Sequence, residues 1–316
     1  MSAGSRGSDE AVAFAPASVG NVAVGFDVLG HSVHTVGDRV RARRIADRTV
    51  RIANISGVAR ELPLESGRNT AGVAVAALVE TVGLDHGFER TIEKGIPLGS
   101  GLGGSAASAV AAVVAANALL PEPLPRLTLL KCAMRGEQIA SGALHVDNVA
   151  PSLYGGLVLT VGIDDPNVKQ IPVPASVRSV LVHPHLELPT RKSREVLKES
   201  VSLSDVIWQQ ANLAGFLTGC FTGDLNLIKV SLEDVIIEPQ RMLLIPGFQS
   251  VKRAALENGA LGCSISGAGP TVFAWCEHDR AEPVRDAMVA ASQLHGLQAD
   301  RWISPIESVG ARVVAE

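Results

Sequence analysis

The stretch "PLGSGLGGSAAS" at residues 97–108 places four glycines in one turn and runs straight into an alanine-rich segment. Glycine accepts positive φ and lets another backbone or ligand approach closely. The helix expected to begin at Ser105 leaves its first amides without internal partners. Those amides and the positive end of the helix dipole together make an anion site. A flexible turn before a helix is the plainer alternative. The loop lacks a GK[ST] ending, so it is not a Walker A and supplies no lysine to a phosphate.

A chain of 316 residues, 47% hydrophobic and 19% charged, can bury a substantial core, and two domains are preferred on size. A net charge of −4 and 3% aromatics speak against a nucleic-acid surface. The most apolar run, Ala106 to Leu120, is interrupted by Ser108 and Asn117 and is too weak for a membrane span. The opening "MSAGSRGSDE" has no signal-peptide core. A cytoplasmic protein with a disordered tail at 1–10 is expected. Cys132, Cys220, Cys263 and Cys276 show no CxxC or zinc-like spacing and are expected as free thiols.

Strands are expected over 12–18, 39–45, 49–55, 88–96 and 157–162, with helices over 69–82, 105–119 and 127–141. "PEPLP" (121–125) stops one helix, and "HVDNVAPSLYGG" (145–156) reads as a polar loop. The turn "DDPN" (164–167) is the expected boundary between domains 1–166 and 167–316. Beyond it come strands at 177–183 and 271–275 and amphipathic helices near 202–221, 247–258 and 280–294. Mixed elements in both halves argue for two α+β layers.

Two further glycine-rich turns accompany the first: "PASVGNVAVGFDVLG" (16–30) and "GCSISGAGPTVFAW" (262–275). With three such loops in this order, the chain resembles the GHMP kinase superfamily over nearly its whole length. "HVDN" (145–148), "TRKSR" (190–194) and "EPQR" (238–241) are most similar to the branch that phosphorylates homoserine. Two departures stand out. The usual GLGSS reads "GLGGS", with Gly104 in place of a serine. The usual SANLGxGFD reads "SVGNVAVGFD", with Gly20 before Asn21 and Ala23 in place of a glycine.

The resemblance implies a two-domain α+β fold. Its N-terminal domain is like ribosomal protein S5 domain 2, its C-terminal domain is ferredoxin-like, and the active site lies between them. It implies ATP and Mg²⁺ as cofactors, L-homoserine as substrate and a homodimer. The nucleotide falls to Asn69, Pro97, Gly99, Gly101, Leu102, Gly103, Gly104 and Ser105, although Asn69 equally suits a helix N-cap. Ser105 and Glu137 supply hard oxygens for the metal; taken alone, Glu137 reads as a solvated helix residue. Arg194 and Arg241 would fork a carboxylate, and Asp27 would take the ammonium. His145, Thr190 and Gly267 are secondary contacts, His145 being otherwise an ordinary structural histidine. Asn21 and Asn148 would stand by the acceptor hydroxyl. An amide cannot accept its proton, so positioning is expected to carry catalysis, with the proton passing to phosphate or water. A mevalonate- or sugar-type kinase fits the zwitterion-matched charges less well, and a silent nucleotide-binding relative fits the retained Ser105 and Glu137 less well.

Overall fold

The computed structural model describes residues 9–141 and 146–315. The first half runs β1 (Glu10–Gly20), β2 (Leu29–Ile45), β3 (Val50–Gly57), α1 (Thr70–Val82), β4 (Gly87–Lys94), α2 (Gly104–Asn117), α3 (Arg126–Ser141), α4 (Val149–Tyr154), β5 (Leu157–Val161) and β6 (Asn167–Ile171). The second runs β7 (Val177–Pro184), α5 (Thr190–Glu195), α6 (Leu203–Thr222), α7 (Leu225–Ser231), α8 (Glu238–Arg241), α9 (Phe248–Glu257), β8 (Ala260–Ile265), β9 (Val272–Glu277), α10 (Ala281–Leu294), β10 (Ala299–Pro305) and β11 (Arg312–Val314).

The larger sheet has the order β11-β1-β2-β4-β3, with β5 and β6 attached at the other half of β2. At 17 residues β2 is long enough to serve both ends, pairing β4 through Arg39–Ile45 and β5 through Leu29–His31. Alternation puts Ala13, Ala15 and Ala17 of β1 on the buried face. Ten residues of α2 are buried, nearly all alanine and valine. Small side chains let this helix press between the sheet and its neighbours α1 and α3, which explains why the alanine-rich run belongs in the core and not in a membrane.

The second sheet is four-stranded and antiparallel, β10-β7-β9-β8. Its strands and the helices α9 and α10 form a βαββαβ unit, the ferredoxin-like arrangement. The two halves share a core, for Phe216, Phe273 and Trp275 pack into the same cluster as β1 and α2. His31 of β2 joins them: Nδ1 donates to the Ser32 carbonyl, and Nε2 meets the Ser179 hydroxyl of β7 at 3.3 Å.

Three expectations change. The turn at 164–167 lies inside a hairpin, because β5 and β6 pair antiparallel from Leu157–Ile171 to Val161–Asn167. The boundary at 166/167 therefore does not separate the sheets, and β11 returns to the first sheet beside β1. Glu10, placed in the expected tail, begins β1 and pairs with Arg43; residues 1–8 of that tail lie outside the described residues. The loop expected over 145–156 holds the helix α4. Among the described residues no helix is long and apolar enough to cross a membrane.

Candidate active site

The three glycine-rich turns meet at one cleft of about 170 Å³, reached by side chains of both halves. The loop before α2 has φ of +58°, +76° and +65° at Gly99, Gly101 and Gly103. A side chain at Gly101 would strike the carbonyls of Ser266 and Gly269, and one at Gly103 would strike Ser18 and Asn148. Glycine is needed here for conformation and for clearance at once.

The loop's carbonyls are turned into the protein. Gly99 O accepts from Leu188 N, Ser100 O from Thr271 N, and Leu102 O from Ser18 N, each at 3.1 Å. Ser266 Oγ donates to Gly101 O at 2.8 Å. Gly104 O takes a bond from Lys94 Nζ at 2.7 Å. With the oxygens so occupied, amide N–H groups are what the loop can offer an anion. Lys94 is itself buried in an ion pair with Asp38, to which Ser108 also donates, so a fixed cation lies beneath the first turn of α2.

The first turn is strained. Asn21, Val22 and Ala23 are consecutive left-handed residues with φ of 69°, 44° and 57°. Such a run persists only where its surroundings hold it. Asn21 Nδ2 donates to Gly267 O at 2.9 Å, and Asn21 Oδ1 accepts from Asp27 N at 3.0 Å. Gly267 N in turn donates to Gly20 O at 3.1 Å. The asparagine amide thus stitches the first turn to the third. Gly20 is also accounted for: a Cβ there would overlap the carboxylate of Asp147 and the amide of Asn148.

The expected substrate residues converge. Arg194, in α5, grips Asp27 with two hydrogen bonds. Arg241, at the end of α8, is 3% exposed and donates from Nε to Ser193 O and from Nη1 to Gly267 O. Both guanidiniums lie over the Phe26 ring, at 5.1 and 5.2 Å. Burial, and then the charge of Arg194, lowers Arg241 to about 10; it remains a cation at neutral pH. Thr190 lines the same cleft as an exposed residue.

Ser105 Oγ donates to Glu137 Oε1 at 2.9 Å. Glu137 is 8% exposed, and burial pushes its carboxyl up to about 7. A buried carboxylate and a hydroxyl side by side at a helix N-terminus form a hard-oxygen pair that fits Mg²⁺, which draws its other ligands from phosphate and water. Pro97 and Gly104 line the cleft, while Leu102 is fully buried and does not line it.

Asn69 stands apart from these cleft residues. Its side chain caps α1, accepting from Ala71 N at 3.1 Å and donating to Pro63 O at 3.0 Å. Its neighbour Thr70 reaches the site, donating to Ser105 O at 3.2 Å. His145 lies outside the described residues. Asn148 accepts from Ser18 Oγ at 3.0 Å and donates to Asp147 Oδ2 at 3.1 Å. Sequence reasoning passed over Asp147, Phe26 and Lys94. Asp147 stands inside the quoted "HVDN", so the available signal was its position beside Asn148.

Residues 69–156 match the GHMP kinases N terminal domain, and residues 216–292 match the GHMP kinases C terminal domain. A homoserine kinase of Xylella fastidiosa is 51% identical over 306 residues, 96% of this chain and 94% of the relative. One from Xanthomonas campestris pv. campestris is 50% identical over 311 residues, 98% of this chain and 96% of the relative. The crystal structure of a homoserine kinase from Cytophaga hutchinsonii superposes with a TM-score of 0.94 at 41% identity, covering 99% of this chain and 100% of that one. The chain belongs to the homoserine kinases of the GHMP kinase family.

Proposed function

We propose that the chain transfers the γ-phosphoryl group of ATP to the side-chain hydroxyl of L-homoserine, giving O-phospho-L-homoserine for threonine synthesis. Use of ATP follows from membership of a kinase family. One observation supports the amino-acid substrate most directly. Beside the phosphate loop stand the guanidiniums of Arg194 and Arg241 and the carboxylate of Asp27, which Arg194 grips. That set offers charges of both signs side by side, matching the ammonium and the carboxylate that an amino acid carries on one carbon.

In this reading the amides around Gly101–Ser105 and the start of α2 hold the phosphates. Arg194 and Arg241 take the substrate carboxylate, Asp27 takes the ammonium, and Thr190 and Gly267 close the pocket around them. Asn148 orients the acceptor hydroxyl, while Asn21 fixes the turn that carries Asp27. Ser105 and Glu137 would hold Mg²⁺, which when bound neutralises charge on the transferring phosphoryl group. Asn69 remains assigned to the adenine end. In the same reading the protein works in the cytoplasm as a homodimer.

The test is ADP release across homoserine, serine, threonine, mevalonate and galactose. Homoserine should be preferred, and equal turnover with mevalonate or galactose would overturn the assignment. Ser105→Ala and Glu137→Gln should each lower turnover strongly and raise the Mg²⁺ requirement. Unchanged Mg²⁺ dependence in Glu137→Gln would remove the metal role.

A further inference from the structure

Arg241 is carried by a helix of one turn, α8, Glu238–Arg241, and a single turn does not hold itself in water. A carboxylate outside the helix supplies what the turn lacks. Asp234 Oδ1 accepts from Ile236 N and Ile237 N, and Asp234 Oδ2 accepts from Glu238 N, each at 2.9 Å. Pro239 has no N–H to satisfy, and Gln240 N and Arg241 N both donate to Ile237 O at 3.1 Å. The backbone N–H groups from Ile236 to Arg241 are thereby all accounted for. Three bonds accepted by two oxygens suit an ionised carboxylate, which only accepts. Asp234 is 7% exposed. Burial raises its carboxyl, and the three amides and Lys252 oppose that rise. Gln209 of α6 fixes the same segment, accepting from Val235 N at 3.0 Å and donating to Val24 O of the first glycine turn at 3.2 Å.

What α8 holds is one end of the cleft. Arg241 Nε reaches Ser193 O in α5, and Gln240 Oε1 accepts from Lys198 N, just beyond α5, at 2.7 Å. Helix α5 carries Thr190 and Arg194. Asp234 and Arg241 also border one small cavity of about 10 Å³. The charges of Asp27 and Asp234 favour the Arg241 cation, against burial and the like charge of Arg194. Resting on the reading in which Arg241 takes the substrate carboxylate, we infer that Asp234 is a positioning residue for amino-acid recognition. It caps α8, and through α8 it sets the Arg241 guanidinium and the α5 segment in place. Asp234 is not among the residues lining the main cleft, so its effect passes through Arg241. The loop before α2 takes its fixed bonds from Leu188, Thr271, Ser18, Ser266 and Lys94, none of them in α8. The nucleotide side is therefore spared.

Asp234→Asn keeps the shape but sets an NH2 group against a backbone N–H whichever way it turns. Its KM for homoserine should rise about five- to thirtyfold, with kcat and the KM for ATP each within about threefold of wild type. In an Arg241→Leu background the same change should cost less than about twofold in kcat/KM for homoserine, because the residue it acts through is gone. Losses that multiply in the double variant overturn the inference. So do equal rises in the two KM values, which mark general damage, and so does an unchanged KM for homoserine in Asp234→Asn. Should that variant fail to fold, Asp234→Ser, whose hydroxyl still accepts an amide bond, is held to the same expectations. Arg241→Leu alone separates this inference from the reading beneath it. If it leaves the KM for homoserine unchanged, the carboxylate role of Arg241 falls and the inference with it. If it raises that KM while Asp234→Asn does not, only the positioning role falls.

Discussion

Asp27 and Arg194 face each other across the cleft as a two-pronged pair, Nη1 to Oδ2 at 3.0 Å and Nη2 to Oδ1 at 2.6 Å. In the proposed reading Asp27, which would take the ammonium, here neutralises Arg194, which would take the carboxylate. A ligand bearing one charge must part them and leave one without a mate, whereas a zwitterion replaces both halves of the pair. Removing one member of a charged hydrogen-bonded set is the costly operation. Therefore 3-aminopropan-1-ol and 4-hydroxybutanoate should each show kcat/KM at least about a hundredfold below homoserine, roughly 2.7 kcal/mol. Either analogue within threefold of homoserine in a coupled assay would refute the exchange.

Phe26 is expected to matter for the amino acid and not for the nucleotide, because its ring supports both Arg194 and Arg241. Two cation–π contacts are together worth about 1–2 kcal/mol. Phe26→Leu keeps the apolar volume and removes the ring, so its KM for homoserine should rise about five- to thirtyfold with the KM for ATP unchanged. Phe26→Tyr should stay near wild type. Parallel rises in both KM values would point to general damage instead.

Gly20→Ala introduces a methyl group where Asp147 and Asn148 already stand. The buried carboxylate and amide must shift, and the amide is the group proposed to orient the acceptor hydroxyl. We expect kcat to fall about tenfold or more while nucleotide affinity, measured by calorimetry, is kept, since the loop before α2 is untouched. Full activity in this variant would show that the crowding relaxes without cost.

Acid should loosen the contact between the two halves. Burial lowers His31 to about 4 from its ordinary 6.5, so the unfolded chain takes up a proton that the folded chain refuses. Stability from this group is complete above about pH 6.5 and is lost as pH falls toward 4, a total of about 3 kcal/mol. Asp147 and Glu137, both raised to about 7, act in the opposite sense, gaining stability as pH falls from 7 into the acid range. The informative quantity is therefore the difference between wild type and His31→Gln in urea unfolding. It should shrink from pH 7.5 to pH 4.5, and a pH-independent difference would contradict the account.

The glycine turns were legible because their requirement is local. Positive φ at Gly99, Gly101 and Gly103 can be met cheaply by one residue type, so the pattern marks the loops before any tertiary contact is known. That Ser105 and Glu137, or Asp27 and Arg194, share one site was reachable only through the family, since 32 and 167 residues separate them, and their direct hydrogen bonds were not foreseen. Asp147 was not legible by either route. Its properties come from burial against Gly20 and from the charge of Asp27, neither of which shows in "HVDN". The 164–167 turn was legible as a turn, but only the pairing of Leu157 with Ile171 shows that it closes a hairpin.

The pairing of Val12, Ala13 and Phe14 with Val314, Val313 and Arg312 bears on how the chain is made. On the ribosome the first strand emerges early, yet its outer edge gains its partner only when the far end of the sequence has been synthesised. Until then β1 presents open amides and carbonyls, the kind of edge that recruits other nascent chains. Ser308, hydrogen-bonded to Ser32 at 2.6 Å, fastens the same late segment to the early one. The larger sheet therefore cannot be completed by an N-terminal fragment, and loss of a few residues near 312–314 would reach the strand that leads into the cleft.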